Sequence, residues 1–157
     1  MEPNIGIALS DRNTVAGMLN VLLADEYVLY TKTRNYHWNV TGSNFNELHR
    51  VFEVQYETLD QSIDEIAERV RSLGAHTVAT LAEFSAITRL QEQPGKHPEA
   101  REMLEGLLAD QETTIRNLRT DVDLCSEKHR DAGTADFLTG LMEGHEKMAW
   151  MLRAFLY

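Results

Sequence analysis

The strongest constraint on this chain is an apolar stripe that steps by three and four residues without a break from Leu48 to Leu73. Leu48, Phe52, Tyr56, Leu59, Ile63, Ile66, Val70 and Leu73 recur at the spacing that lines one face of an α-helix. Asn44 followed by Glu47 is a capping-box-like start for that helix. Gly74 is a natural terminator, since glycine takes the left-handed conformation past a last turn without penalty. Beside the core stripe runs a second one: His49, Glu53, Glu57, Asp60, Asp64 and Glu68. Most charged stripes are simply solvated faces. This one carries a histidine at one end and neither lysine nor arginine, and acids one turn apart weaken an isolated helix.

Three further stretches read the same way. Ser10 is a good N-cap, and from it Val15, Met18, Leu22, Leu29 and Thr33 keep helical spacing to about Val40. Pro98 suits the first turn of a later helix carried by Leu104, Leu107, Ile115, Leu118 and Val122. After Arg130-Asp131-Ala132-Gly133, Thr134 can cap a last helix with Leu138, Leu141, His145, Met148, Leu152 and Phe155 on one face. Thr80 to Thr88 has the makings of a short helix within the long connection, and Gln93-Pro94-Gly95-Lys96 breaks it. Two short connections and one long crossover predict an all-α, ferritin-like four-helix bundle, with a short extra helix between helices two and three. Residues 1–9 are expected to be a short flexible tail, and residues 10–157 a single domain.

Charge narrows the function. A net charge of −10 disfavours non-specific contact with nucleic acid and suits a protein that attracts cations. A lone Cys125 excludes an intrachain disulfide framework and fits a reducing compartment. Neither a signal peptide nor an apolar run long enough for a membrane span is evident. A cytoplasmic location is expected, with nucleoid association left open.

His37, in Asn35-Tyr36-His37-Trp38-Asn39-Val40, is delivered close to the turn from which His49 emerges. Asp64 comes fifteen residues after His49, roughly 22 Å along a helix axis at 1.5 Å per residue. No single ion spans that distance. Two antiparallel copies related by a two-fold axis set the histidine end of one helix against the carboxylate end of the other, which predicts a metal site between subunits. Carboxylates with a minority of imidazoles suit iron in either oxidation state. A di-iron site inside one bundle is the competitor, but it is built on Glu-x-x-His motifs, and the chain has none. His145 lacks a glutamate three residues earlier and reads as a core histidine bonded to a neighbour; His76, His97 and His129 carry no pattern.

Asn35-Tyr36-His37-Trp38-Asn39-Val40 with Phe45-Asn46-Glu47-Leu48-His49 resembles the Dps-type mini-ferritins. So do Ile63-Asp64-Glu65-Ile66-Ala67-Glu68-Arg69-Val70 and the run from His145 to Ala154. The resemblance spans nearly the whole chain in order, and the spacing His-x11-His-x14-Asp-x3-Glu is highly specific. It implies a hollow dodecamer built from two-fold dimers, with two-iron ferroxidase centres at the dimer interfaces. His37 and His49 would then be ligands from one subunit, and Asp64 and Glu68 from its partner. The family commonly has an aspartate one turn after the second histidine; here Glu53 stands there, with a longer arm that reaches the metal directly or through water.

The resemblance further implies oxidation of Fe(II), preferably by hydrogen peroxide, and storage of ferric oxide in the shell. Trp38 stands where a sacrificial electron donor would act, and equally reads as an interface aromatic. Trp150, Tyr36 and Tyr56 read as bundle or interface packing. Asp131 and Asp136 resemble the family's acidic three-fold pore residues, although Gly140 stands where a further acid is common. Read as ordinary helix-start residues, they are a loop residue and a first-turn acid. DNA compaction is a different class of function. Relatives that bind DNA use a lysine-rich tail, whereas residues 1–12 contain only Arg12 among cations, with Glu2 and Asp11 beside it. No tight direct DNA binding is expected. A structural shell that binds other divalent ions without turnover is the third reading, since first-row metals overlap in ligand preference.

Overall fold

The computed structural model describes residues 2–157. Four long helices carry the fold: α1 Leu9–Asn39, α2 Phe45–Ser72, α4 Ala100–Asp123 and α5 Ala132–Ala154, with the short α3 Leu81–Ile87 in the crossover. A π-helical turn, Leu124–Lys128, follows α4 directly. No strand occurs among the described residues. The expected all-α bundle with an extra crossover helix is therefore the fold observed.

Helix starts depart from the sequence expectation at four places, each for a physical reason. Ser10 lies inside α1: the Arg12 amide bonds the Ala8 carbonyl at 3.0 Å, closing the first turn before a serine cap is needed. Asn44 occupies the N-cap of α2 but makes no side-chain cap bond. Its backbone (φ −99°, ψ 22°) is not the extended geometry that aims a capping side chain at the second or third amide. Pro98 precedes α4 rather than opening it, because Glu99 is extended and forms a reciprocal capping box with Glu102. At α5 the cap is Asp131, not Thr134; Asp131 Oδ1 accepts the Thr134 amide at 2.9 Å. An ionised carboxylate makes stronger bonds to backbone donors than a hydroxyl does.

Gly74 ends α2 as expected, at φ +92°. A side chain there would also collide with the Pro3 ring, 2.8 Å from the position of a Cβ. Near the start of the chain, Pro3 lies on Gly74, Glu2 pairs with Arg12 at 3.1 Å, and Ile7 packs on the core. Arg12 is buried and donates to the Leu73 carbonyl at 3.1 Å, so the first helix secures the end of the second.

The crossover is held by one buried acid. Asp25 accepts bonds from the Thr88 hydroxyl (2.9 Å), the Arg89 amide (2.6 Å) and the Arg89 guanidinium (2.7 Å). Thr80 and Glu83 form the capping box that starts α3. The apolar core divides into two clusters. One joins Leu19, Leu22, Ile66, Leu118 and Leu138; the other joins Leu29, Phe52, Leu59, Leu107 and Leu152.

Candidate metal centre

The end of α1 and the start of α2 bring His37 and His49 into ring-to-ring contact, with centroids 3.7 Å apart and planes 20° from parallel. Each imidazole is fixed by the other residue's main chain. His37 Nδ1 donates to the His49 carbonyl and His49 Nδ1 to the His37 carbonyl, both at 2.8 Å. A carbonyl only accepts, so both Nδ1 atoms carry the proton. In the neutral rings, both Nε2 lone pairs are then free for a metal ion. This is the orientation that second-sphere bonds impose on ligating histidines, here supplied by backbone. Phe45 stacks on His49 at 5.1 Å, and Tyr56 meets His37 edge-on at 5.2 Å. Partial burial, and next the negative charge of Glu53, hold the Tyr56 phenol above its usual range.

The acids sit elsewhere on α2. Glu53, one turn beyond His49, is half-buried, whereas Asp64 and Glu68 are exposed, and their carboxylates make no hydrogen bond or ion pair among the described residues. Among the described residues no three His, Cys, Asp or Glu side chains converge into a metal cage. Helix rise explains this: fifteen residues of α2 separate His49 from Asp64, and a straight helix cannot fold back on itself. One chain therefore presents two oriented imidazoles at one end and unpaired carboxylates at the other.

The remaining sequence candidates divide clearly. Trp38 is 64% exposed beside His37, with the Arg34 guanidinium 5.0 Å above its ring. Asp136 is exposed on α5. Asp131 is only 2% exposed and fully engaged: it caps α5, accepts from the Thr134 hydroxyl, and pairs with Arg69 at 3.0 Å. Its Oδ1 accepts from the Thr134 amide and Arg69, and its Oδ2 from the Thr134 hydroxyl. Tyr36 is buried beside Phe52, as packing predicts, whereas Trp150 is 63% exposed on α5. His145 is a buried core histidine bonded to Gln111, as its place on the apolar stripe implied. His129, given no role from sequence, pairs with Asp11 at 2.8 Å. The reciprocal bonds of His37 and His49 were not legible in the sequence, because their acceptors are main-chain atoms common to every residue.

A bundle of this connectivity is a ferritin-like architecture, and the comparisons agree. Residues 16–157 match the family model described as the ferritin-like domain. An uncharacterized low temperature-induced protein of Nostoc sp. is 48% identical over 153 residues, covering 98% of this chain and 86% of that one. DNA protection during starvation protein 2 of Bacillus anthracis is 40% identical over 143 residues, covering 90% and 96%. A Dps protein of Vibrio cholerae O1 superposes with a TM-score of 0.93 at 32% identity, covering 99% and 97%. Its description places it among the ferritin-like diiron-carboxylate proteins. The chain belongs to the ferritin-like family and, within it, to the Dps-type mini-ferritins.

Proposed function

We propose that this protein oxidises Fe(II) at two-iron sites shared between subunits and stores the ferric product inside a closed shell of its own copies. His37 and His49 of one subunit, with Asp64 and Glu68 of its two-fold partner, hold the iron, and Glu53 assists from the histidine side. The observation that carries the reading is the fixed Nδ1–H tautomer of both imidazoles, which leaves two lone pairs with no partner in their own chain. The unpaired Asp64 and Glu68 supply the missing half. Membership among proteins that include a described diiron-carboxylate relative supports iron as the substrate.

Hydrogen peroxide is the preferred oxidant in this reading. Two Fe(II) ions held together deliver two electrons to one peroxide, which takes up two protons and leaves as two waters. No one-electron step then releases hydroxyl radical. Trp38, exposed beside His37, is the residue placed to supply an electron when only one iron is bound. Asp131 and Asp136 are the pore acids of this reading, Asp136 exposed on α5 and Asp131 at its cap. The shell is a dodecamer of two-fold dimers working in the cytoplasm, and it protects DNA by removing iron and peroxide. Direct DNA binding is not part of this reading: Arg12, the one cation in the first twelve residues, is buried against α2. No helix among the described residues is long and apolar enough to cross a membrane.

Complementation tests the shared site. Chains carrying His37→Ala and His49→Ala are mixed with chains carrying Asp64→Asn and Glu68→Gln, unfolded together and reassembled. Each pure variant should be inactive, and the mixture should recover about a quarter of parental peroxide-driven Fe(II) oxidation, because each mixed two-fold dimer contains one intact site. No recovery in correctly assembled mixed shells would sink the inter-subunit reading. Oxidation undiminished in either pure variant would sink the ligand assignment.

A further inference from the structure

Before α4 begins, the crossover turns back beside α1. Gly95 at φ +73° and the Lys96 amide, bonded to the Gln93 carbonyl at 3.1 Å, make the turn. Between this turn and α1 lies a cavity of about 200 Å³, walled by Lys32, Asn35 and Tyr36 from the helix and by Glu92, Lys96 and His97 from the crossover. It takes no part in the histidine centre. Neighbouring residues sit about 100° apart around a helix. Tyr36 accordingly reaches over Gly106 of α4, whereas His37 stacks on His49 of α2.

The polar atoms that α1 turns toward this cavity are donors without acceptors. Tyr36 is 6% exposed, and its hydroxyl makes no hydrogen bond among the described residues. A buried phenol ordinarily finds a partner for its O–H. The Lys32 side chain beside it is 10% exposed. One of the three ammonium N–H groups goes to Asp110, which leaves two. Burial, and then the charge of Asp110, holds the Tyr36 phenol above its usual range, so the hydroxyl shares a corner with that ion pair. Asn35 adds its amide nitrogen, because its Oδ1 already accepts from Asn39 Nδ2 at 2.8 Å.

Charge selects an anion here by placement. Two acids face the same space: Glu92, exposed at the rim where water screens it, and Asp110, which Lys32 engages. Lys96 and His97 are exposed at the mouth. The groups shielded from water are the donors, and a low local dielectric strengthens their bonds. An apolar ligand would leave the Lys32 and Tyr36 donors unpaired, and a cation would meet the ammonium. A ligand carrying several acceptor oxygens and a negative charge satisfies all three donors at once.

We propose that this cavity binds a small tetrahedral oxyanion of the phosphate class, held by Lys32 Nζ, the Tyr36 hydroxyl and Asn35 Nδ2, with Lys96 attracting it from solvent. The site is built within one chain. It stands whether or not iron is oxidised between subunits.

Isothermal titration calorimetry of the iron-free, assembled protein with inorganic phosphate tests it, at an ionic strength held constant with chloride. Saturable binding of about one phosphate per chain is expected. Tyr36→Phe removes one hydroxyl, keeps the ring and should weaken binding about tenfold. Lys32→Gln removes a charge as well and should weaken it about 30-fold or more. That variant leaves Asp110 without its ion pair, so Tyr36→Phe, which breaks no hydrogen bond, keeps the test informative if Lys32→Gln misfolds. Lys147→Gln, on α5, is the control and should leave binding unchanged. Absence of saturable binding in the parent would overturn the proposal. So would an affinity that Tyr36→Phe leaves within about twofold of the parent, or that Lys147→Gln weakens as much. Competition with glycerol phosphate separates two sources of the same chemistry: failure to displace phosphate supports the free anion, and displacement supports the phosphoryl end of an ester.

Discussion

The two histidine centres of this protein use the same device and differ in one respect. Where α1 ends and α2 begins, His37 and His49 donate from Nδ1 to main-chain carbonyls; deeper in the bundle, His145 donates from Nδ1 to Gln111. The far nitrogen of the interior ring pairs with Glu26, whereas those of the other two rings meet no partner among the described residues. The interior ring has a carboxylate 2.8 Å away, on α1, whereas Asp64 and Glu68 lie far along the α2 axis from His49. Whether an acid meets a histidine of its own chain depends on where it falls along its helix. The comparison also separates polar atoms already engaged by their own chain from atoms left for something else.

The contrast breaks most readily at the interior. His145→Ala leaves Glu26 buried without its neighbour and opens a cavity, so it should cost roughly 3–5 kcal/mol of stability in urea denaturation. His49→Ala, at the surface, should change stability by less than about 1 kcal/mol. A similar small loss for both would mean the interior layer is not held by that pair. Next in size is activity: His37→Ala or His49→Ala should slow Fe(II) oxidation about 100-fold or more, the upper end of what even an outer-sphere partner contributes. Stopped-flow ferric absorbance reads this, and a rate within threefold of the parent would remove that histidine from the site.

Carboxylates sharpen the same distinction at lower cost. Asp131→Asn disturbs an acid engaged by Arg69, the Thr134 amide and the Thr134 hydroxyl, and should lose roughly 1–3 kcal/mol. Asp64→Asn touches no intrachain partner and should fall within about 0.5 kcal/mol of the parent in thermal unfolding. Equal losses would show that Asp64 is engaged within its own chain after all.

The smallest effect concerns Cys125. Burial, and then the nearby charges of Asp131 and Asp121, push its thiol up to about 11. A folded pKa above the unfolded one favours folding below the unfolded value. That contribution is lost as pH rises from the ordinary thiol range toward about 11. Thiol titration should be slow at pH 8 and stability should decline across that alkaline window; Cys125→Ala should flatten the decline.

Much of this was legible in the sequence, and the reasons are local. Periodicity at Leu48 to Leu73 and along the other three helices dictated the bundle, because one apolar face per helix has few ways to be covered. The absence of Glu-x-x-His, together with the rise of a helix between His49 and Asp64, gives the expectation of a centre shared between subunits. Helix starts were read less well. Ser10, Pro98 and Thr134 all have the right chemistry, but Ala8, Glu99 and Asp131 occupy the cap positions. Which neighbour captures the first free amides depends on tertiary anchors such as Arg12 on Leu73 and Arg69 on Asp131.

What the sequence determined by itself was the number, length and apolar faces of the helices and the chemistry carried at His37, His49, Asp64 and Glu68. Those follow from side-chain spacing along one axis. The tertiary structure alone decided the tautomers of the paired imidazoles, the engagement of Asp131 by Arg69 and Thr134, and the meeting of Glu26 with His145. Each of these depends on an atom from another part of the chain arriving within hydrogen-bond or ligand distance. One-dimensional spacing holds no record of such contacts, because packing, not sequence separation, sets them.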